Sequence, residues 1–140
     1  MKALYLESSA ALSWLLAEPV GEEVLEKIGS FDAVVSSVLT AVEIERSLAR
    51  FERKGSLLPS QRQRLLAVFR RAADSWLLLD VTPPVRERAG NPFPVEPVRT
   101  LDALHLATAL EFLNLYDHLM VLSYDQRILA NLPALGLPAA

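Results

Sequence analysis

The sequence predicts a single α/β/α domain: a short parallel sheet with helices on both faces. Three observations carry this. Four short apolar runs, within residues 2–6, 33–36, 76–81 and 119–122, have the length of buried strands. Stretches of helical periodicity alternate with them, as parallel crossovers require. And a chain of 140 residues with 51% hydrophobic content suffices for one domain with a real core, so residues 1–140 are read as one unit.

The elements follow in order. Residues 2–6 form the first strand, Glu7-Ser8-Ser9 a turn, and Ala10 to Ala17 a helix broken at Glu18-Pro19. A second helix from Val20 to Ile28 turns Val24, Leu25 and Ile28 inward and ends at Gly29; residues 33–36 are the second strand. Thr40-Ala41-Val42-Glu43 matches a capping box, and its helix runs to Arg53, where Gly55 stops it. Pro59 suits the first turn of the next helix, which extends to about Ala73 with Leu65, Leu66 and Phe69 on its apolar face. Residues 76–81 are the third strand, and Pro83-Pro84 opens a short helix ending at Gly90. After a proline-rich loop over residues 91–98, Thr100 is placed as the N-cap of a helix whose buried face is Leu101, Leu104, Ala107 and Leu110. Leu119 to Leu122 is the fourth strand, Asp125 caps a last helix, and Leu137-Pro138 adds a short edge strand.

Composition narrows the chemistry. The absence of cysteine excludes disulfides and thiolate zinc sites, and His105 and His118 form no zinc-binding pair, so any metal is a hard cation on oxygen ligands. With no run long enough to span a membrane and no signal-peptide pattern, the expected location is the cytoplasm. The net charge of −3 hides an asymmetry: residues 46–71 carry 8 basic and 1 acidic side chains, between acidic flanks. Such a segment is either a solvated helical hairpin or a footprint for a polyanion.

Four carboxylates stand at strand-to-helix junctions. Glu7 closes the first strand, Glu43 lies in the first turn of the helix from Thr40, Asp102 in the first turn of the helix from Thr100, and Asp125 just after the fourth strand. Taken singly, Glu43 and Asp102 read as well as helix-capping acids. Taken together they occupy the place where open α/β sheets bind ligands, outside the carboxyl ends of the strands. Carboxylates gathered there need protons or divalent cations, which points to metal-dependent phosphoryl transfer.

The chain resembles a PIN domain, and specifically the VapC toxins of bacterial type II toxin–antitoxin pairs. Leu4-Tyr5-Leu6-Glu7-Ser8-Ser9-Ala10 is similar to the family's opening strand and turn, and Thr40-Ala41-Val42-Glu43 to its helical Glu. The segment from Arg99 to Ala107, with Thr100-Leu101-Asp102-Ala103 and His105, is similar to its most recognisable stretch. Leu122-Ser123-Tyr124-Asp125 with Leu135-Gly136-Leu137-Pro138 is similar to its ending. The resemblance implies a cytoplasmic endoribonuclease using Mg²⁺ or Mn²⁺, homodimeric and held inactive by a cognate VapB-like antitoxin. Carried over by position, Glu7, Glu43, Asp102 and Asp125 are the catalytic, metal-binding acids, and Ser8, Ser123 and Arg99 are polar neighbours or substrate contacts. His105 is assigned to helix packing. One position departs: the family's first acid is an Asp, and Glu7 is one methylene longer.

Three functions compete on this reading. The first is hydrolysis of RNA with segment 46–71 holding flanking phosphates or facing an acidic antitoxin. The second is a PIN-like RNA- or protein-binding module impaired in catalysis, for which Glu7 speaks. The third is a phospho-aspartate protein, which looks to a lysine late in the chain; here Lys2, Lys27 and Lys54 are all early.

Overall fold

The computed structural model describes residues 1–140. Four strands, β1 (Lys2–Leu6), β2 (Ala33–Ser37), β3 (Leu77–Leu79) and β4 (His118–Leu122), form one sheet in the order β3-β2-β1-β4. Every pairing is parallel, with Leu4 opposite Val34 on one side and Met120 on the other. The chain builds outward from β1 to β3 and then returns to the far side of β1 for β4. The switch of direction therefore falls between β1 and β4, and a crevice opens at their carboxyl ends.

Seven helices cover the sheet: α1 (Ser8–Leu15), α2 (Gly21–Ser30), α3 (Val38–Arg53), α4 (Pro59–Ala73), α5 (Pro83–Ala89), α6 (Thr100–Leu113) and α7 (Gln126–Leu135). The period of two along β1 divides the core into two layers. Ala3 and Tyr5 pack with Leu106, Ala109 and Phe112 of α6 and Ile128 and Leu132 of α7. Leu4 and Leu6 pack on the opposite face with Ala10 and Ala11 of α1, Ile44 and Leu48 of α3 and Phe69 of α4. This is the predicted α/β/α arrangement. No helix is long and apolar enough to cross a membrane.

Several local expectations are corrected. The N-cap of α3 is Ser37, whose Oγ accepts from Leu39 N–H at 3.1 Å; Thr40 is buried inside the helix and bonds Ser36. Glu43 thus lies in the second turn and takes no part in a capping box. Arg99, not Thr100, is the cap residue of α6. Its buried face is Ala103, Leu106, Ala107, Ala109 and Phe112, with Asp102, His105 and Thr108, while Leu101 is 46% exposed. The anticipated stripe of leucines fails because α6 packs against the sheet, α5 and α7 together, so its buried face is wider than one stripe and turns away from Leu101. Gly29 lies inside α2 and Leu25 points outward. β3 is shorter than expected, and the terminal strand is reduced to a single bridge between Val121 and Ala139.

Phe112 is fully buried and tilts against Tyr5 and Tyr116 at centroid distances of 6.2 and 6.4 Å. Phe112→Ala is expected to cost about 3–5 kcal/mol by opening a cavity under β1, read from urea unfolding.

Candidate active site

The crevice at the sheet's carboxyl edge is an open cleft of about 550 Å³, and Glu7, Glu43, Asp102 and Asp125 all line it. Each comes from a different element. β1 ends at Leu6, and Glu7 becomes the N-cap of α1, its carboxylate accepting from Ser9 N–H at 2.9 Å. β4 ends at Leu122, and Asp125 caps α7 by accepting from Arg127 and Ile128 N–H at 2.9 and 3.3 Å. Asp102, in the first turn of α6, accepts from the backbone N–H of Arg99 at 3.3 Å. Glu43 projects from α3 without any capping bond. Glu7 and Asp125 each satisfy an open amide at a helix start, which fixes their carboxylates near the sheet edge.

Glu7 sits in a hydroxyl cage. Ser8 Oγ donates to one of its oxygens at 3.0 Å, and Ser123 Oγ to the other at 2.9 Å, joined there by Ser9 Oγ. Ser9 Oγ also accepts from Tyr124 N–H, tying the β1 and β4 turns together. Glu7 is 4% exposed, so these bonds replace the water a buried carboxylate needs. Ser123 lies beneath the cleft and reaches it through Glu7, whereas Ser8 and Arg99 line it directly.

Arg99 lies between two acids. Its Nε donates to Asp102 at 3.3 Å and a terminal nitrogen donates to Asp125 at 3.4 Å. The hydrogen bond to Asp102 and that residue's charge push the guanidinium pKa further up; desolvation opposes them, and the charges of Asp125 and Glu43 add to the rise. The guanidinium is exposed, so it is tied to the acids electrostatically without being enclosed.

His105 packs in the core as expected, at 2% exposure, and it also has a polar role that packing alone did not suggest. Its Nε2 faces a Glu43 oxygen at 2.5 Å, and its Nδ1 faces Tyr5 Oη at 2.8 Å. Burial, and after it the charges of Glu7 and Glu43, raise the Tyr5 pKa well above its ordinary value, so the phenol keeps its proton. Ser9, Ser47 and Arg50 were not singled out as site residues, although the last two lie within the basic segment 46–71. Ser47 and Arg50 line the cleft, and their signal was spacing: they follow Glu43 by four and seven residues on one helix face.

Glu7, Glu43, Asp102, Asp125, Ser8 and Arg99 thus line one crevice, with Ser123 beneath it. The donors are carboxylate and hydroxyl oxygens, the chemistry that suits a hard divalent cation. No three acidic or histidine side chains stand close enough to grip one ion together; Arg99 supplies the counter-charge for two of the acids and serine hydroxyls solvate the third.

The PIN-domain family model matches residues 4–134. The chain belongs to the PIN-domain family. Ribonuclease VapC46 of Mycobacterium tuberculosis (strain ATCC 25618 / H37Rv) is 36% identical over 109 residues, 78% of this chain and 75% of that protein. Among solved structures, a toxin–antitoxin complex from Klebsiella pneumoniae aligns with a TM-score of 0.66 at 17% identity, covering 94% of this chain and 93% of that one. VapBC2 from Rickettsia felis, bound to a DNA fragment from its promoter, aligns with a TM-score of 0.68 at 12% identity, covering 99% and 97%. These two likenesses concern the fold. In this PIN domain the acids sit where β1, β4, α3 and α6 converge, at the sheet's topological switch point.

Proposed function

We propose that this PIN-domain protein is a VapC-type endoribonuclease that hydrolyses RNA phosphodiester bonds. The observation that carries the proposal is the presence of Glu7, Glu43, Asp102 and Asp125 on one cleft at the switch point of the sheet. The 36% identity to a protein named as a ribonuclease supports it. These four acids are the residues that would hold Mg²⁺ or Mn²⁺. Such an ion, when bound, lowers the pKa of its water and offsets charge on phosphate oxygens.

The chain's own residues then divide the work. Asp102 and Asp125 share the Arg99 guanidinium at the cleft, and Glu43 reaches the cleft from α3. The serine cage keeps Glu7 in place at the edge of β1. Arg99 and Arg50 are the cationic groups on the cleft wall, placed to meet the phosphates flanking the scissile bond. Cleavage of an unstructured RNA should require Mg²⁺ or Mn²⁺ and stop in EDTA, measured with labelled substrate. Metal-independent cleavage, or none with any RNA despite bound metal, counts against the proposal.

The RNA path extends along α3. Segment 46–71 is the α3–α4 hairpin, in which Arg62 pairs with Glu52 and Arg70 with Glu45. Arg46, Arg50 and Arg53 line a second depression on the exposed face of α3, and Arg50 borders both this and the acidic cleft. A polyanion leaving the cleft meets this row next. Arg50→Glu with Arg53→Glu should weaken RNA binding and flatten its salt dependence, by about 0.7 in the log–log slope per lost contact. Filter binding across a salt series measures this, and an unchanged slope removes α3 from the RNA path.

A cognate VapB-like antitoxin as inhibitor, a homodimer as the working form and a cytoplasmic location belong to the same proposal. The alternative function, a binding module without turnover, has one structural observation in its favour: the Glu7 carboxylate is already satisfied by neighbouring hydroxyls and an amide. Metal and RNA binding without cleavage, in the wild-type protein and in Glu7→Asp alike, is the result that selects it.

A further inference from the structure

We propose that Tyr5 and His105 form a buried positioning chain that holds the Glu43 carboxylate in place at the cleft. This rests on the reading of Glu43 as a site acid and adds to it the device that orients this acid. Glu43 differs from its three counterparts. Glu7, Asp102 and Asp125 are each anchored by backbone amides at a helix start, whereas Glu43 sits in the second turn of α3, where amides are already used within the helix. Its hydrogen bond within the chain comes from His105 Nε2. A glutamate side chain has three rotatable bonds, so without that bond its head group samples many positions over a cleft open to water.

The chain of contacts determines where the protons lie. The Glu43 carboxylate can only accept, so the Nε2 of His105 that faces it carries a proton and donates. In the neutral imidazole Nδ1 is then left to accept, and the Tyr5 hydroxyl, enclosed under α6 at 2.8 Å, is the donor that meets it. The opposite tautomer would set the Nε2 lone pair against a carboxylate at 2.5 Å. The rings of Tyr5 and His105 also meet edge to face at 6.1 Å, which restricts rotation of the imidazole. Three elements, β1, α6 and α3, are joined through these contacts, and the rigid sheet sets the position of a flexible acid. Histidines that bind metals are oriented in this way by a carboxylate behind them; here the order is reversed and the acid is the group held.

The test compares Mn²⁺ affinity, by calorimetry, in wild type, Glu43→Gln, His105→Leu, His105→Gln and Tyr5→Phe, each checked for folding by thermal melt. His105→Leu should weaken Mn²⁺ binding by about 10- to 100-fold. Tyr5→Phe should weaken it less, and His105→Gln, whose amide can still donate to Glu43, should recover part of the loss. Imidazole ¹⁵N–¹H NMR of the wild type should place a proton on Nε2 of His105. If Glu43→Gln lowers affinity while folded His105→Leu and Tyr5→Phe bind as wild type, the positioning chain is overturned and the site reading stands. If Glu43→Gln itself binds Mn²⁺ as wild type, the assignment of Glu43 fails and the chain with it. Should His105→Leu not fold, Tyr5→Phe and the NMR measurement decide: an Nδ1–H tautomer overturns the proposal.

Discussion

Asp102→Asn is expected to abolish metal-dependent RNA cleavage while leaving the fold intact. The side chain is 6% exposed and sits in the first turn of α6, at the back of the cleft. Asparagine has nearly the same volume, and its carbonyl oxygen can still accept the Arg99 N–H that Asp102 now accepts. The cap is therefore retained. What is lost is the negative charge, and with it the strongest reason for a divalent cation to enter a site that already contains Arg99. Because removing one electrostatic group from a catalytic centre commonly costs 10²–10³ in rate, the expected fall is at least about 100-fold. Single-turnover cleavage in Mn²⁺ measures it, and a melting temperature close to wild type shows that structure is not the cause. Retained cleavage in a folded Asp102→Asn protein removes Asp102 from the catalytic set.

Glu7→Asp is the second large effect, and its direction is upward. The carboxylate of Glu7 folds back into hydroxyls from Ser8, Ser9 and Ser123 and accepts the Ser9 amide as well. Shortening the side chain by one methylene draws the head group out of contact with part of that cage. Aspartate is at least as good a helix N-cap, so α1 keeps its start. The freed carboxylate oxygen turns toward Glu43, Asp102 and Asp125, and a displacement on the order of 1 Å at a catalytic site changes rates by up to about 100-fold. An increase of roughly tenfold or more in kcat/KM is expected. The same comparison at saturating Mn²⁺ tells whether the gain lies in metal affinity or in turnover. No change removes the idea that Glu7 blunts the site. A loss shows instead that the longer side chain and the serine cage are matched.

Much of the architecture was legible because its signals are local. Short apolar runs located the four strands, and helical periodicity with proline and glycine breakers located most of the helices. Asp125 as a cap, Pro59 in a first turn and Gly55 as a stop all follow from the backbone chemistry of single residues. The misplaced caps also have local causes. Thr40 and Thr100 look like caps because hydroxyl side chains commonly are, yet Ser37 and Arg99 take those positions. Ser37 ends β2 and α3 begins without a loop, so the cap had to lie closer to the strand than a threonine three residues later. For α6 the stripe of leucines misled for a tertiary reason, since a helix packed on several sides buries residues beyond any single stripe.

Sequence by itself determined the fold class, the strand-end placement of Glu7 and Asp125, the first-turn placement of Asp102 on a helix that follows a loop and not a strand, and the oxygen-only chemistry open to a chain without cysteine. Those are properties of residues and their near neighbours along the chain. Only the tertiary structure decided that Arg99 bridges Asp102 and Asp125, that Ser123 closes the cage on Glu7, and that Tyr5 reaches Glu43 through His105. Tyr5 and His105 lie one hundred positions apart, and His105 and Glu43 sixty-two. No periodicity in a sequence encodes such pairs. They exist because the parallel sheet places β1 between β2 and β4 and so gathers the starts of α1 and α7 and the second turn of α3 at one edge, with α6 packed across the same face as Tyr5.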